Sequence, residues 1–272
     1  LNNKLINNYF FLKIGTKNKQ NSMIKLSKIP TTPPKGTEKN EIKKATKKMA
    51  KEIAELQYRM LAEGKKSILV IFQGMDSSGK DGATKNVFKE CSPSGVSVTS
   101  FKKPTDEEFA HDFLWRVHKH VPEKGQIKIF NRSHYEDILI QKVHGWITPK
   151  QQKMRMTAIN SFENLLQLDN DTIVIKFYMH LSKERQLEKL QERVNDPKKN
   201  WKHNDGDWTE RELWNKYRNC YEYAINNSDI PWHIIPVDSR SYRDYCIAKI
   251  VLGTMKKMRC KWPALKSERF KI

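Results

Sequence analysis

The stretch Gly74-Met75-Asp76-Ser77-Ser78-Gly79-Lys80-Asp81-Gly82 decides how this chain is read. It follows a short apolar, β-branched run, Ile68 to Phe72, and leads into a helix-forming segment that opens near Gly79. The pattern G-x-x-x-x-G-K between a buried strand and a helix is that of a phosphate-binding loop. Backbone N–H groups of such a loop and of the helix N-terminus converge on phosphate oxygens, and Lys80 adds positive charge where negative charge accumulates. Gly74, Ser77, Ser78, Gly79, Lys80 and Asp81 are therefore expected around a bound phosphate. Asp81 stands where a Ser or Thr hydroxyl would ordinarily hold Mg²⁺, so a metal ligand is expected elsewhere. Asp76 is the candidate, because a carboxylate beside phosphates repels them unless a cation lies between. The competing reading makes Asp76 a turn residue bonded to its own backbone. Asp81 equally suits the first turn of a helix, where an acid complements the macrodipole.

Outward from the loop, apolar runs at residues 67–72, 95–101, 126–130, 171–178 and 232–237 read as strands, each followed by a helical pattern. Strands alternating with helices predict a parallel sheet covered on both faces, a three-layer α/β/α domain. Ahead of the first strand, Ile42, Ala45, Met49, Ile53, Leu56 and Met60 recur at steps of three and four, which predicts a long amphipathic helix ending near Gly64 that serves core packing alone. Residues 195–209 are polar, carry Trp201 and Trp208, and lie between two helical patterns. They read as a mobile lid, with the lid region spanning about residues 182–217.

The run at 126–130 ends in Asn131, Arg132, Ser133, His134, Tyr135, Glu136 and Asp137, at the carboxyl edge where open α/β sheets bind ligands. Arg132 is expected to clamp a phosphate bidentately, against the alternative of an ion pair with a neighbouring acid. Asn131 and Glu136 are candidates for the same site, although Ser133 and Glu136 also satisfy S-x-x-E, a helix-capping box. Asp137 is expected to share the metal with Asp76. Further on, Arg185, Lys189 and Arg193 share one helix face, with Leu187, Leu190 and Val194 turned to the core. Possible i,i+3 pairs with Glu188 and Glu192 favour a solvated, salt-bridged surface for Arg185 and Lys189. Arg193 borders the lid and ranks above both as a phosphate contact, and past it Lys202 and Arg211 lie in a basic, tryptophan-bearing loop that suits closing over a phosphate-rich ligand, though it also resembles a nucleic-acid patch.

The chain has 272 residues and a formal charge of +20. Residues 1–66 carry 16 Lys and Arg against 5 Asp and Glu, and residues 251–272 carry 7 against 1, which leaves +3 for residues 67–250. Such a field favours polyanions: nucleic acid, anionic membrane or phosphate chains. No apolar run approaches the roughly 20 residues of a bilayer span. Cys91, Cys220, Cys246 and Cys260 form no C-x-x-C pair, which suits free thiols in a reducing cytoplasm. Residues 1–39 are expected to be a basic leader, disordered or extended, with either a disordered stretch at 1–22 or a native start at Met23, and residues 40–272 the folded domain.

Together these segments resemble the family-2 polyphosphate kinases over roughly residues 65–243. The resemblance rests on GMDSSGKDG (74–82), EFAHDFLWRVHKHVPEKG (108–125), IFNRSHYED (129–137), NDPKKNWK (195–202), the spacing from Asp207 through Arg211 and Trp214 to Tyr217, and PWHIIPVD (231–238). It implies a P-loop kinase-like fold with a helical lid, and Mg²⁺-dependent phosphoryl transfer between inorganic polyphosphate and nucleotides. Asp76, Lys80 and Arg132 would then belong to the phosphate and metal site, and Arg193 and Arg211 to the lid. The form NRSHYED resembles the subgroup that phosphorylates both AMP and ADP. A homo-oligomer is implied as well, with no specific nucleic acid. An ATP-dependent nucleoside monophosphate kinase and a basic P-loop nucleic-acid-binding protein are the two rival readings.

Overall fold

The computed structural model describes residues 23–267, 269 and 270. Strands β1 (Ser67–Gln73), β2 (Val96–Ser100), β3 (Ile127–Asn131), β4 (Thr172–His180) and β5 (Trp232–Pro236) form one parallel sheet in the order β2-β3-β1-β4-β5. Every expected strand is present. All of β1 is buried, with Ile68, Val70 and Phe72 entering one apolar core and Leu69 and Ile71 the other. This period of two is what a strand covered on both faces requires. In β4, Ile175, Phe177 and Met179 face the first core, and Val174 and Tyr178 the second.

In chain order the α-helices among the described residues are α1 (Lys39–Glu63), α2 (Lys80–Phe88), α3 (Asp106–Ala110), α4 (Trp115–His118), α5 (Ile140–Val143), α6 (Pro149–Asn170), α7 (Lys183–Asn195), α8 (Gly206–Glu212), α9 (Trp214–Asn227) and α10 (Arg240–Met258). Ile53 and Met60 of α1, Val87 of α2, and Ile247 and Val251 of α10 cover the first face. Ile159 and Phe162 of α6 and Tyr221 and Ala224 of α9 cover the second. The result is the expected three layers. No helix among the described residues is long and apolar enough to cross a membrane.

The expected leader divides. Residues 1–22 lie outside the described residues, whereas residues 23–38 are no free arm. Leu26 is fully buried. The Ile24 N–H donates to Asn226 Oδ1 and the Leu26 N–H to Glu222 Oε1, each at 2.8 Å, which fastens this strap along α9. Two aliphatic side chains in a basic stretch find the second core, so the domain starts well before residue 40.

The topology also makes the cleft. Adjacent strands β1 and β3 send their chains to opposite faces, β1 into α2 and β3 by way of α5 into α6. The space between their carboxyl ends is therefore left open, and the phosphate loop and the polar segment after β3 meet across it.

Candidate active site

The chain turns at Gly74, where an added Cβ would lie 2.8 Å from both Cβ and O of Met179 on β4. At Gly79 the backbone has φ 88° and an added Cβ would collide with the Arg243 guanidinium. Only glycine meets both demands. Within the loop Lys80 Nζ donates to Gly74 O at 2.9 Å and Met75 O at 3.3 Å and lies 3.5 Å from Ser78 Oγ. Burial pushes the Lys80 ammonium below the ordinary lysine value, with Asp76 opposing. Ser78 is fully buried and does not line the cleft, whereas Ser77, Gly79, Lys80 and Asp81 do.

Across from the loop, Arg132 sits in the left-handed region at φ 61°, its N–H donating to Phe72 O at 3.0 Å. Its Nη2 donates to Asp76 Oδ1 at 2.6 Å. Burial would raise the Asp76 carboxyl, yet Arg132 and Lys80 outweigh it and hold Asp76 below the usual range. Burial would likewise lower Arg132, but Glu136 and Asp76 hold it above the ordinary arginine value. Asn131 Nδ2 donates to Asp81 Oδ1, joining the end of β3 to the start of α2. Gln73, with its amide turned to satisfy both ends, donates to Glu136 Oε1 and accepts from the Ser133 N–H, each at 2.9 Å.

Two sequence expectations fail here. No capping box forms at Ser133: residues His134–Asp137 make a 3₁₀ turn, and Ser133 Oγ accepts from Tyr135 N–H at 3.2 Å. Asp137 does not share a metal position with Asp76. It is buried, accepting from Arg116 Nη2 at 3.3 Å and Gln141 Nε2 at 2.6 Å, on the side of the turn away from the cleft. Burial raises its carboxyl, and Arg116 opposes. The tighter pitch of a 3₁₀ turn sends neighbouring residues to different sides. Among the described residues no group of three or more His, Cys, Asp or Glu could hold a metal.

The lid region closes over this floor. Gln186 of α7 donates to Asp76 O at 3.0 Å and accepts from Arg211 Nη1 of α8 at 3.3 Å. Arg193 donates to Asp207 and, at 3.1 Å, to Lys202 O. Burial pushes Asp207 up, Asp76 adds to this, and Arg193 opposes. The interval 195–209 is ordered by a 3₁₀ turn at Asn200–Lys202 and the start of α8. Arg185 pairs with Glu188 on the surface, as expected. Lys189 does not: it is buried and donates to Ser77 O at 3.3 Å, while Glu192 pairs with Lys199 and Arg240. Val194, expected inside, is exposed.

Two recesses meet at the Asp76–Arg132 pair, which lines both. The larger, about 700 Å³, is lined by nine Lys and Arg against three carboxylates, among them Lys80, Lys102, Lys189, Arg193, Lys202 and Arg243. The smaller, about 250 Å³, carries Trp214, Tyr217, Tyr221 and Arg211 together with Glu136, Asp207 and Glu210. Sequence reasoning missed Arg243, Arg240, Lys102 and Gln186. Arg243 follows the N-cap Ser239 of α10 at the carboxyl edge of β5, a position that the strand pattern locates but no local motif marks.

The family described as Polyphosphate kinase 2 (PPK2) matches residues 36–263. An AMP/ADP-polyphosphate phosphotransferase of Meiothermus ruber is 40% identical over 82% of this chain and 84% of its own length. An ADP-polyphosphate phosphotransferase of Rhodopseudomonas palustris is 32% identical over 93% of each chain. The crystal structure of Polyphosphate Kinase 2 from Arthrobacter aurescens TC1 superposes with a TM-score of 0.87 at 35% identity, covering 93% of this chain and 91% of the other.

Proposed function

The chain belongs to the polyphosphate kinase 2 family, and from that premise we propose that it transfers phosphoryl groups between inorganic polyphosphate and adenine nucleotides, raising AMP to ADP and ADP to ATP. The observation that carries this reading is the pair of recesses joined at Asp76 and Arg132. A long basic cleft suits a chain of phosphates, which carries a charge on every unit. The smaller, aromatic-lined recess suits a nucleotide, with Arg211 at hand for its phosphate.

Transfer then takes place at the shared wall. The loop N–H groups and Lys80 hold the donor phosphate, and Arg132 meets the equatorial oxygens of the group in flight. Little covalent participation is asked of the protein: positioning and electrostatic stabilisation carry the step. Arg193 and Arg211 bring positive charge from the lid, and α7 and α8 keep water, the competing acceptor, away.

A divalent cation, Mg²⁺ by this reading, fits the donor set. Mg²⁺ takes one or two carboxylates and completes its shell with substrate phosphates and water. Asp76 meets that need, since its carboxyl is held below the usual range, is partly exposed and lines both recesses. Asp137 does not. When bound, the cation neutralises phosphate oxygens. The same reading sets the enzyme in the cytoplasm as a homo-oligomer, where its four free cysteines remain reduced.

The test is to incubate the pure protein with Mg²⁺, polyphosphate and either AMP or ADP, and to resolve the nucleotides by chromatography. ADP and ATP should form with no other phosphate donor present. Ready phosphorylation of AMP by ATP beside inert polyphosphate would instead make it a nucleoside monophosphate kinase.

A further inference from the structure

Lys176 lies in the middle of β4, between Ile71 of β1 and Trp232 of β5, and is fully buried. Its Nζ donates to Glu163 Oε2 of α6 at 2.6 Å and to Tyr135 OH at 2.7 Å. Glu163, also fully buried, holds His134 Nε2 at 3.3 Å from its other oxygen. The Tyr135 hydroxyl lies 3.2 Å from Ser228 Oγ, which accepts from Trp232 Nε1 at 2.8 Å. Burial would raise Glu163, but Lys176 and His134 hold it below the usual carboxylate value, while burial pushes Lys176 below the ordinary lysine value against the pull of Glu163.

A buried ion pair is a poor way to stabilise a sheet. Its desolvation offsets its attraction, and apolar residues of the same volume generally do as well or better. What this pair does is geometric. His134 and Tyr135 are buried residues of the 3₁₀ turn that carries Glu136 and follows Arg132, and both Arg132 and Glu136 line the smaller recess. Arg132 itself is held at φ 61°, a conformation that persists only where its surroundings over-determine it. Hydrogen bonds have direction and fixed length, whereas apolar contacts would let the turn slide.

We propose that Glu163 and Lys176 are positioning residues for phosphoryl transfer, acting through His134 and Tyr135 to fix the turn that carries Arg132 and Glu136. This rests on the assignment of Arg132 to the transferring group made above.

The experiment is the double variant Glu163→Gln with Lys176→Met, which removes both charges at nearly constant volume, built in the wild type and in Arg132→Lys. In the wild type, kcat should fall about tenfold while either KM moves less than about threefold, because a displaced Arg132 loses transition-state contact rather than binding. Thermal unfolding should stay close to the wild type. In Arg132→Lys, the same pair should cost less than about twofold, since both changes act through one contact. Unchanged kcat in the folded double variant, or the full loss repeated on top of Arg132→Lys, would overturn the proposal. A harmless Arg132→Lys would overturn the assignment of Arg132, and the proposal with it. Should the pair not fold, Tyr135→Phe deletes one hydroxyl and keeps the ring. It should cost a few-fold in kcat in the wild type and nothing in Arg132→Lys, and equal losses in both would again refute the idea.

Discussion

Lys189 carries a pH signature that the cleft should pass on to catalysis. Burial lowers its pKa to about 8, and Arg243, Arg185 and Arg240 act in the same direction against Asp238. Below that pH the ammonium adds to the positive wall. Above it the free enzyme loses this charge, whereas a bound polyanion would restore it. The KM for polyphosphate should thus rise above pH 8, by up to about tenfold per pH unit, and Lys189→Gln should flatten the rise. A KM independent of pH between 7 and 9 in the wild type would remove Lys189 from the binding surface. At Asp76, which is partly exposed, Asp76→Asn should cost most of the turnover and leave the unfolding temperature nearly unchanged. At Gly74 the order is reversed. Gly74→Ala sets a methyl against Met179 and should lower the free energy of unfolding by about 1–3 kcal/mol, measurable in urea. The sequence made the loop residues legible because their spacing is itself the geometry. It misled at Lys189 and Asp137 for one reason: a charged residue on a helix or turn looks alike whether its partner is water, a neighbour or another element. Lys189 finds a loop carbonyl, and Asp137 finds Arg116.

Among the elements, β1 and β4 were readable as apolar runs because the inner strands of a parallel sheet are buried on both faces. The strap before α1 was not readable. Two aliphatic residues are too few to make a periodic pattern, and only the groove along α9 gives them meaning. Leu26→Ala should cost about 2–5 kcal/mol of stability, as for a fully buried leucine and unlike any change in a free leader. The strap also reaches the lid. Thr31 Oγ1 donates to Asp238 Oδ2 at 2.6 Å, and Asp238 Oδ1 accepts from Ser182 N–H, at the N-cap of α7, at 3.0 Å. Within the lid, Arg211 lines the smaller recess and braces Gln186, which donates to the Asp76 carbonyl. Arg211→Lys keeps the charge and loses the planar fork, so kcat should fall clearly with little change in stability. Wild-type turnover in this variant would take Arg211 out of the site.

The molecule as a whole carries +20, most of it near its ends in the sequence, yet the charge that matters for catalysis is local. Residues 67–250 are close to neutral and still build a wall of cations, because nine Lys and Arg, Lys80, Lys102, Lys202 and Arg243 among them, converge on one cleft that three carboxylates line. The central claim is that phosphate chain and nucleotide occupy separate recesses and exchange a phosphoryl group across the Asp76–Arg132 wall. Its most direct test is the pair of Michaelis constants for the double variant Lys199→Gln with Lys202→Gln, which strips two cations from the larger recess and none from the smaller. The account predicts a KM for polyphosphate raised on the order of three- to tenfold, as for two partly exposed charge contacts, with the KM for AMP unchanged. A raised KM for AMP beside an unaltered KM for polyphosphate would contradict it, because the two recesses would then have been assigned the wrong way round.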